Sequence, residues 1–147
     1  GAAGLFANSQ VKDDQRNAVQ KVFESIGSAL WVDDENLLHS VTALSGSGPA
    51  YFFLMLEALE SAATEAGIES EPARALAIQT MAGAAEMAAR SEDDPGQLKR
   101  NVMSPGGTTE RAINTFEEGG LRDLVKKAYS AAFERSREMS RELADKQ

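Results

Sequence analysis

Ser45-Gly46-Ser47-Gly48-Pro49-Ala50-Tyr51-Phe52-Phe53-Leu54-Met55-Leu56 is the stretch whose reading decides the fold. Its Gly46-x-Gly48 pair invites comparison with the glycine fingerprint at which a strand hands over to a helix in dinucleotide-binding sheets. The third glycine of that fingerprint would fall at Tyr51, where a ring blocks the close helix-to-strand packing that a glycine allows. The fingerprint reading fails. Ser47 or Gly48 reads instead as an N-cap and Pro49 as an early helical residue, opening a helix that runs to about Ala66 and is closed by Gly67. Its first two turns are apolar all round, so it belongs in a domain core or against a second subunit.

Working outward toward the C-terminus, the helical signals continue. Pro72 to Arg90 carries Leu76, Ile78, Met81 and Met87 among many alanines, with Gly83 in its middle. Small residues of this kind let helix axes approach closely, and a mid-helix glycine costs about 1 kcal/mol relative to alanine unless packing uses it. Asp94-Pro95 reads as an N-cap followed by proline at the first helical position, starting a short helix through Leu98 to Val102. A further helix covers Glu110 to Phe116, Gly119-Gly120 breaks the chain, and a long helix runs from Leu121 to about Ala144. The Glu134/Arg137 and Glu138/Arg141 pairs on that last helix are spaced to support a solvated face.

Outward toward the N-terminus, the pattern changes. Asn36 to Leu44 reads as a short helix, and before it strand signals appear. Ala2 to Ala7 reads as an edge strand, Asp13 to Ile26 as an amphipathic helix with Gly27 as its C-terminal cap, and Ala29-Leu30-Trp31-Val32 as a second strand. Strand, helix, strand is half of an α/β unit with no sheet of its own. Trp31 fits a packing tryptophan better than a ligand platform. His39 is the only histidine, and no helical spacing supplies it with carboxylate partners, so a solvated or hydrogen-bonded ring is expected rather than a metal ligand.

At 147 residues, 42% hydrophobic and 26% charged, the chain has the size and composition of one folded domain. A net charge of −8 argues against nucleic acid and against an anionic membrane surface. The most apolar run, Ala50 to Leu56, stops at Glu57, well short of the roughly 20 residues that span a bilayer. No signal peptide is visible, and the absence of cysteine removes disulfides, thiolate metal sites and thiol nucleophiles. A soluble, cytoplasmic protein is the expectation. The sequence opens on Gly1-Ala2-Ala3-Gly4 rather than methionine, which suggests that the start is a boundary or a cleavage site.

For chemistry, the serine-hydrolase elbow, the Walker loop, zinc spacing and the calcium loop are all lacking. Asp33-Asp34-Glu35 and Ser91-Glu92-Asp93-Asp94 fit solvated turns and helix starts. What remains is Ser104-Pro105-Gly106-Gly107-Thr108-Thr109. One reading makes it a capped turn between helices, with Pro105 and the glycines supplying backbone geometry. The other makes it a site for a small carboxylate, held by amides around Gly106, Gly107 and Thr108 and by the hydroxyls of Ser104, Thr108 and Thr109. No lysine or arginine lies within the turn, so dipoles and hydrogen bonds would carry the charge.

Val102 to Thr109, with the following Ala112-Ile113 and Phe116-Glu117, resembles the signature of the pyrroline-5-carboxylate reductase family. Val41-Thr42-Ala43-Leu44-Ser45-Gly46-Ser47-Gly48-Pro49-Ala50-Tyr51-Phe52 is similar to a second block of the same family, and Leu30-Trp31-Val32-Asp33 also looks like it. The resemblance covers nearly the whole chain. It implies a reductase that moves hydride from NADPH or NADH to the C=N carbon of 1-pyrroline-5-carboxylate, giving L-proline. It implies a mainly helical domain that dimerises by interleaving with its twin, in dimers that can join into larger rings. Residue by residue, Ser104, Gly107 and Thr108 would hold the substrate carboxylate, with Gly106 beside them in the turn. Thr109 would direct its hydroxyl at the ring nitrogen, and Thr42 would stand nearby as a supporting polar group.

The same resemblance exposes a departure, because family members carry an N-terminal dinucleotide-binding domain and this sequence holds no such fingerprint. The expectation is therefore a remnant of that domain over residues 1–33 and an all-helical dimerisation and substrate-binding domain over 34–147. No residue here is assigned to cofactor or metal binding, and the chain alone is expected neither to hold NADPH tightly nor to turn over. Two other functions compete: a helical oligomerisation module without ligand contact, and a related two-domain reductase acting on another cyclic imine or acid.

Overall fold

Two short strands and seven helices make up residues 1–146, the residues that the computed structural model describes. β1 (Ala2–Leu5) leads through α1 (Asp13–Glu24) to β2 (Ser28–Trp31). α2 (Leu37–Val41) runs into a π-turn over Thr42–Gly46, and α3 (Gly48–Glu65), α4 (Ser70–Arg90), α5 (Pro95–Asn101), α6 (Thr108–Glu118) and α7 (Leu121–Ala144) follow. The chain is thus mainly helical, with a small strand-helix-strand piece in front. The last residue of the expected second domain, Gln147, lies outside the described residues.

Packing divides the chain into two compact units. One joins Gly1–Pro49 to the C-terminal segment from Val125; the other is Ala50–Leu124.

In the first unit, β1 and β2 pair with each other in parallel, Ala2 opposite Ser28 and Leu5 opposite Trp31. The sequence pattern alone offers them no sheet. Each strand nonetheless satisfies one edge of the other, and Val32 N–H extends the ladder to the Leu5 carbonyl at 2.8 Å. Both are shorter or displaced relative to expectation, since the pairing register, rather than hydrophobicity, sets where they end. α1 stops at Glu24, and Ser25, not Gly27, closes it. Gly27 instead serves the sheet, because a Cβ there would collide with the Gly1 backbone where the two strands begin to pair. Trp31 is half-buried, with the Arg16 guanidinium 4.5 Å above its ring. α2 lies against β1, where Gly4 makes room for the Val41 methyls, which a Cβ would meet at 2.7 Å. α7 is tied to α2 by His39 Nδ1 at 2.9 Å from Ser136 Oγ and by the Tyr129 hydroxyl donating to the Ser40 carbonyl at 3.2 Å. His39 is thereby hydrogen-bonded and sits edge-on to Phe133.

The expected capped start at Ser47 or Gly48 does not form. Ser47 keeps helical dihedrals, and its N–H donates to the Thr42 carbonyl at 2.8 Å, a wider bond than an α-helix makes. The cause is Pro49, which has no N–H for the Ser45 carbonyl and whose ring would crowd it. The turn widens before the proline, and Ser47 alone separates the π-turn from α3.

In the second unit, local signals act where the sequence places them. Gly67, at φ +100°, ends α3, with Gly67 N–H bonded to Thr64 O and Ile68 N–H to Ala63 O. Asp94 accepts from the Gln97 amide at 2.9 Å and Pro95 opens α5. α4 starts at Ser70, two residues earlier than expected, because Pro72 falls in the first turn, where its missing N–H is harmless. Glu60 joins α3 to α4, accepting from Arg74 at 2.8 Å and from the Ser70 hydroxyl at 2.8 Å. Those donors hold its carboxyl below the usual carboxylate range.

Among the described residues, the buried hydrophobic ones are Leu5, Ala43 and Ala73. Phe52, Phe53 and Leu54 of α3 are 60%, 67% and 67% exposed, and Val22, Ile26, Leu76 and Met87 are exposed as well. An apolar helix was expected to be covered; the chain alone does not cover it. On α7, Glu134 pairs with Arg137 as the spacing suggests, but Glu138 takes Arg135 instead of Arg141, because Arg135 can also reach Glu142 at 2.8 Å.

Candidate functional site

The turn from Ser104 to Thr109 is shaped by two glycines with separate roles. Gly106 adopts φ +71°, a left-handed conformation that costs other residues about 1–2 kcal/mol. Gly107 is the N-cap of α6 and donates its N–H to the Ser104 carbonyl at 2.9 Å. A Cβ on Gly107 would sit 2.9 Å from that same oxygen. The Glu110 carboxylate reaches back over the turn and accepts the Gly106 N–H at 2.7 Å.

This arrangement corrects which amides are available. The N–H groups of Gly106 and Gly107, expected to hold a carboxylate, are both engaged within the chain. Left without acceptors among the described residues are the N–H groups of Thr108, Thr109 and Glu110, the first turn of α6. The hydroxyls of Ser104, Thr108 and Thr109 likewise make no hydrogen bond within the chain among the described residues. Ser104 and Thr108 are exposed and Thr109 is half-buried. A helix start with three unengaged amides and three free hydroxyls around it can take a small anion through dipole and hydrogen bonds alone.

Beside the turn runs a cleft of about 440 Å³, lined by Gly106, Gly107, Glu110, Arg111, Asn114 and Thr115, with Glu118 at its far end. Arg111, Asn114 and Glu110 were missed in the sequence. They recur at three- and four-residue steps from Gly107 along α6, so helical spacing could have marked them. Near the C-terminal end of α6, Glu117 is gripped by Arg122 at 2.7 Å and Lys99 at 3.3 Å, and these two donors pull its carboxyl down to about 2.

Thr42 belongs to the other compact unit, in the π-turn, and its hydroxyl donates to the Leu38 carbonyl at 2.8 Å. Its oxygen keeps a lone pair, but its proton is spent. Among the described residues no group of three or more histidine, aspartate or glutamate side chains is placed to hold a metal ion, and no helix is long and apolar enough to cross a membrane.

Residues 35–139 match the family model described as pyrroline-5-carboxylate reductase dimerisation. The chain belongs to the pyrroline-5-carboxylate reductase family. It is 47% identical over 143 residues to the reductase of Pseudomonas aeruginosa, and 44% identical over 139 residues to that of Pisum sativum. Those alignments use 97% and 95% of this chain but 52% and 50% of the relatives, so the chain spans about half their length. The solved reductase of Coxiella burnetii superposes with a TM-score of 0.90 at 47% identity, over 92% of this chain and 51% of that one. A Plasmodium falciparum pyrroline carboxylate reductase, solved with NADP bound, gives 0.82 at 33% identity over 92% of this chain and 52% of that one.

The glycine-rich turn that receives a dinucleotide's pyrophosphate between a strand and a helix is not formed among the described residues. Gly46 and Gly48 lie in and just after the π-turn rather than between a strand and a helix. The two-stranded sheet passes to α1 through Phe6-Ala7-Asn8-Ser9-Gln10-Val11-Lys12, which holds no glycine to let pyrophosphate approach.

Proposed function

We propose that this chain is the dimerisation and substrate-binding portion of a reductase that converts 1-pyrroline-5-carboxylate to L-proline. The observation that carries the reading is the turn at the head of α6, where unengaged amides and hydroxyls meet in a segment shared with reductases of this name. In the reaction, hydride adds to the imine carbon and a proton ends on the nitrogen, and NADPH or NADH supplies the hydride when bound.

The work of this chain is binding and orientation. The substrate carboxylate rests on the N–H groups of Thr108 and Thr109 and on the Ser104 hydroxyl, while Gly106 and Gly107 shape the turn. The Thr109 hydroxyl hydrogen-bonds the ring nitrogen, favouring the protonated imine and fixing the ring face that receives hydride. Thr42 is a supporting polar group. In this proposal residues 1–33 are the end of a dinucleotide-binding domain, residues 34–147 form the dimerisation and substrate domain, and the cofactor is held by the rest of a cytoplasmic reductase.

A second copy of the chain is the partner that the exposed faces call for. The apolar flank of α3 at Phe52, Phe53 and Leu54 supports this, as does the match to a dimerisation model. Interleaved helices would cover that flank, and dimers could assemble further. Sedimentation at micromolar concentration should give a dimer.

L-proline should shift the amide resonances of Thr108 and Thr109. In the active reductase, Thr109→Ala should lower kcat roughly tenfold, the scale of one lost hydrogen bond. If proline moves no resonance and Thr109→Ala keeps its turnover, the chain serves oligomerisation alone.

A further inference from the structure

Glu110 stands at the third position of α6 and has an unusual reach. In the common capping box, a glutamate at this position accepts the N–H of the N-cap residue. Here the N-cap amide, on Gly107, already serves the Ser104 carbonyl, and Glu110 reaches one residue further to Gly106 at 2.7 Å. The bond therefore closes on the residue whose left-handed φ bends the turn. Glu110 itself is half-buried along the cleft.

We propose that Glu110 is a positioning residue for the carboxylate site: by accepting the Gly106 N–H it holds the turn in the form that leaves the Thr108 and Thr109 amides free. The inference rests on the substrate-binding reading of this turn. Two properties of the bond support it. A carboxylate acceptor makes a stronger hydrogen bond to an amide than a neutral one, and its negative charge is favoured at a helix start. Without that bond, Gly106 would have a free N–H, and its left-handed turn would be closed only by the Gly107 N–H on the Ser104 carbonyl and by the fixed φ of Pro105. The turn could then relax, and the neighbouring amides would lose their aim. The same charge also lies close to where an anionic ligand would sit, so Glu110 trades some attraction for a fixed geometry.

Comparing Glu110→Ala with Glu110→Gln separates these effects, because the glutamine oxygen can still accept the Gly106 N–H and carries no charge. In the active reductase, Glu110→Ala should raise KM for the imine acid about tenfold, as expected for a lost charge-assisted hydrogen bond, with a much smaller change in kcat. Glu110→Gln should recover most of that loss. The Gly106 amide proton should lie downfield in the parent and in Glu110→Gln, and move upfield in Glu110→Ala. Equal KM in the parent and Glu110→Ala would overturn the proposal, as would a Glu110→Gln as impaired as the alanine variant, or a Gly106 resonance indifferent to all three. A parent protein that neither reduces the imine acid nor binds L-proline would instead defeat the functional reading on which the proposal stands.

Discussion

The chain contains two turns of nearly the same composition, Ser45-Gly46-Ser47-Gly48-Pro49 and Ser104-Pro105-Gly106-Gly107-Thr108, and they do opposite things. In the first, the proline comes last, the glycines stay out of the left-handed region, and the helix widens into a π-turn that only Ser47 separates from the next helix. The Ser45 hydroxyl in it, and that of Thr42 just before it, donate back to the carbonyls of Val41 and Leu38 on their own helix. In the second, the proline comes first and Gly106 swings to φ +71°, so the helix before it ends and a new one begins with unspent amides. Order, not composition, decides whether a serine- and glycine-rich stretch keeps its polar groups for itself or offers them outward.

That contrast can be broken by asking which glycines are required. Gly107→Ala should have the largest effect. Its Cβ would press on the Ser104 carbonyl at 2.9 Å, and a displacement approaching 1 Å at a binding site can cost up to about a hundredfold in kcat/KM. Gly106→Ala comes next: the methyl has open space around it, but the left-handed backbone costs about 1–2 kcal/mol. The turn should loosen, seen as faster exchange of the Gly107 amide. In the first turn, Gly46→Ala should be neutral or stabilising by up to about 1 kcal/mol, since a helical alanine outranks glycine. Its Cβ would meet the Thr42 methyl at an ordinary 3.6 Å. Denaturant midpoints decide this case, and a large loss there would erase the distinction between the two turns.

The smallest effect concerns the far end of α6, where Glu117 ties that helix to α5 through Lys99. Glu117, held at about 2 by Arg122 and Lys99 against an ordinary 4.5, binds fewer protons in the folded chain than in the unfolded one between those values. Its contribution to stability is therefore complete above about 4.5 and disappears as pH falls through about 2. Glu117→Gln should flatten the pH dependence of the thermal midpoint within that window and change nothing at neutral pH beyond a small constant offset. The residue and its partners are solvent-screened, so the shift should be small.

Much of the fold could be read directly. The Gly67 and Gly119-Gly120 stops and the Asp94-Pro95 start all appear where their local chemistry puts them. The site was legible as a stretch, Ser104 to Thr109, but not as a set of donors. Which amides are free depends on the Ser104 carbonyl and on the rotamer of Glu110, and Arg111 and Asn114 join the cleft only through the direction in which α6 leaves the turn.

The sequence by itself therefore determined the helices, the Gly67 stop, the Asp94-Pro95 start and the family, because those depend on residues within one or two turns of each other and on motifs that can be recognised in order. Only the tertiary structure decided that β1 pairs with β2, that Gly27 is needed for its approach to Gly1 and not as a cap, that Thr42 spends its proton on Leu38, and that Glu110 takes the amide first expected to meet the ligand. Each of these is a competition between several possible hydrogen-bond or packing partners. Such competitions are settled by distance and direction in three dimensions, which spacing along the chain does not specify.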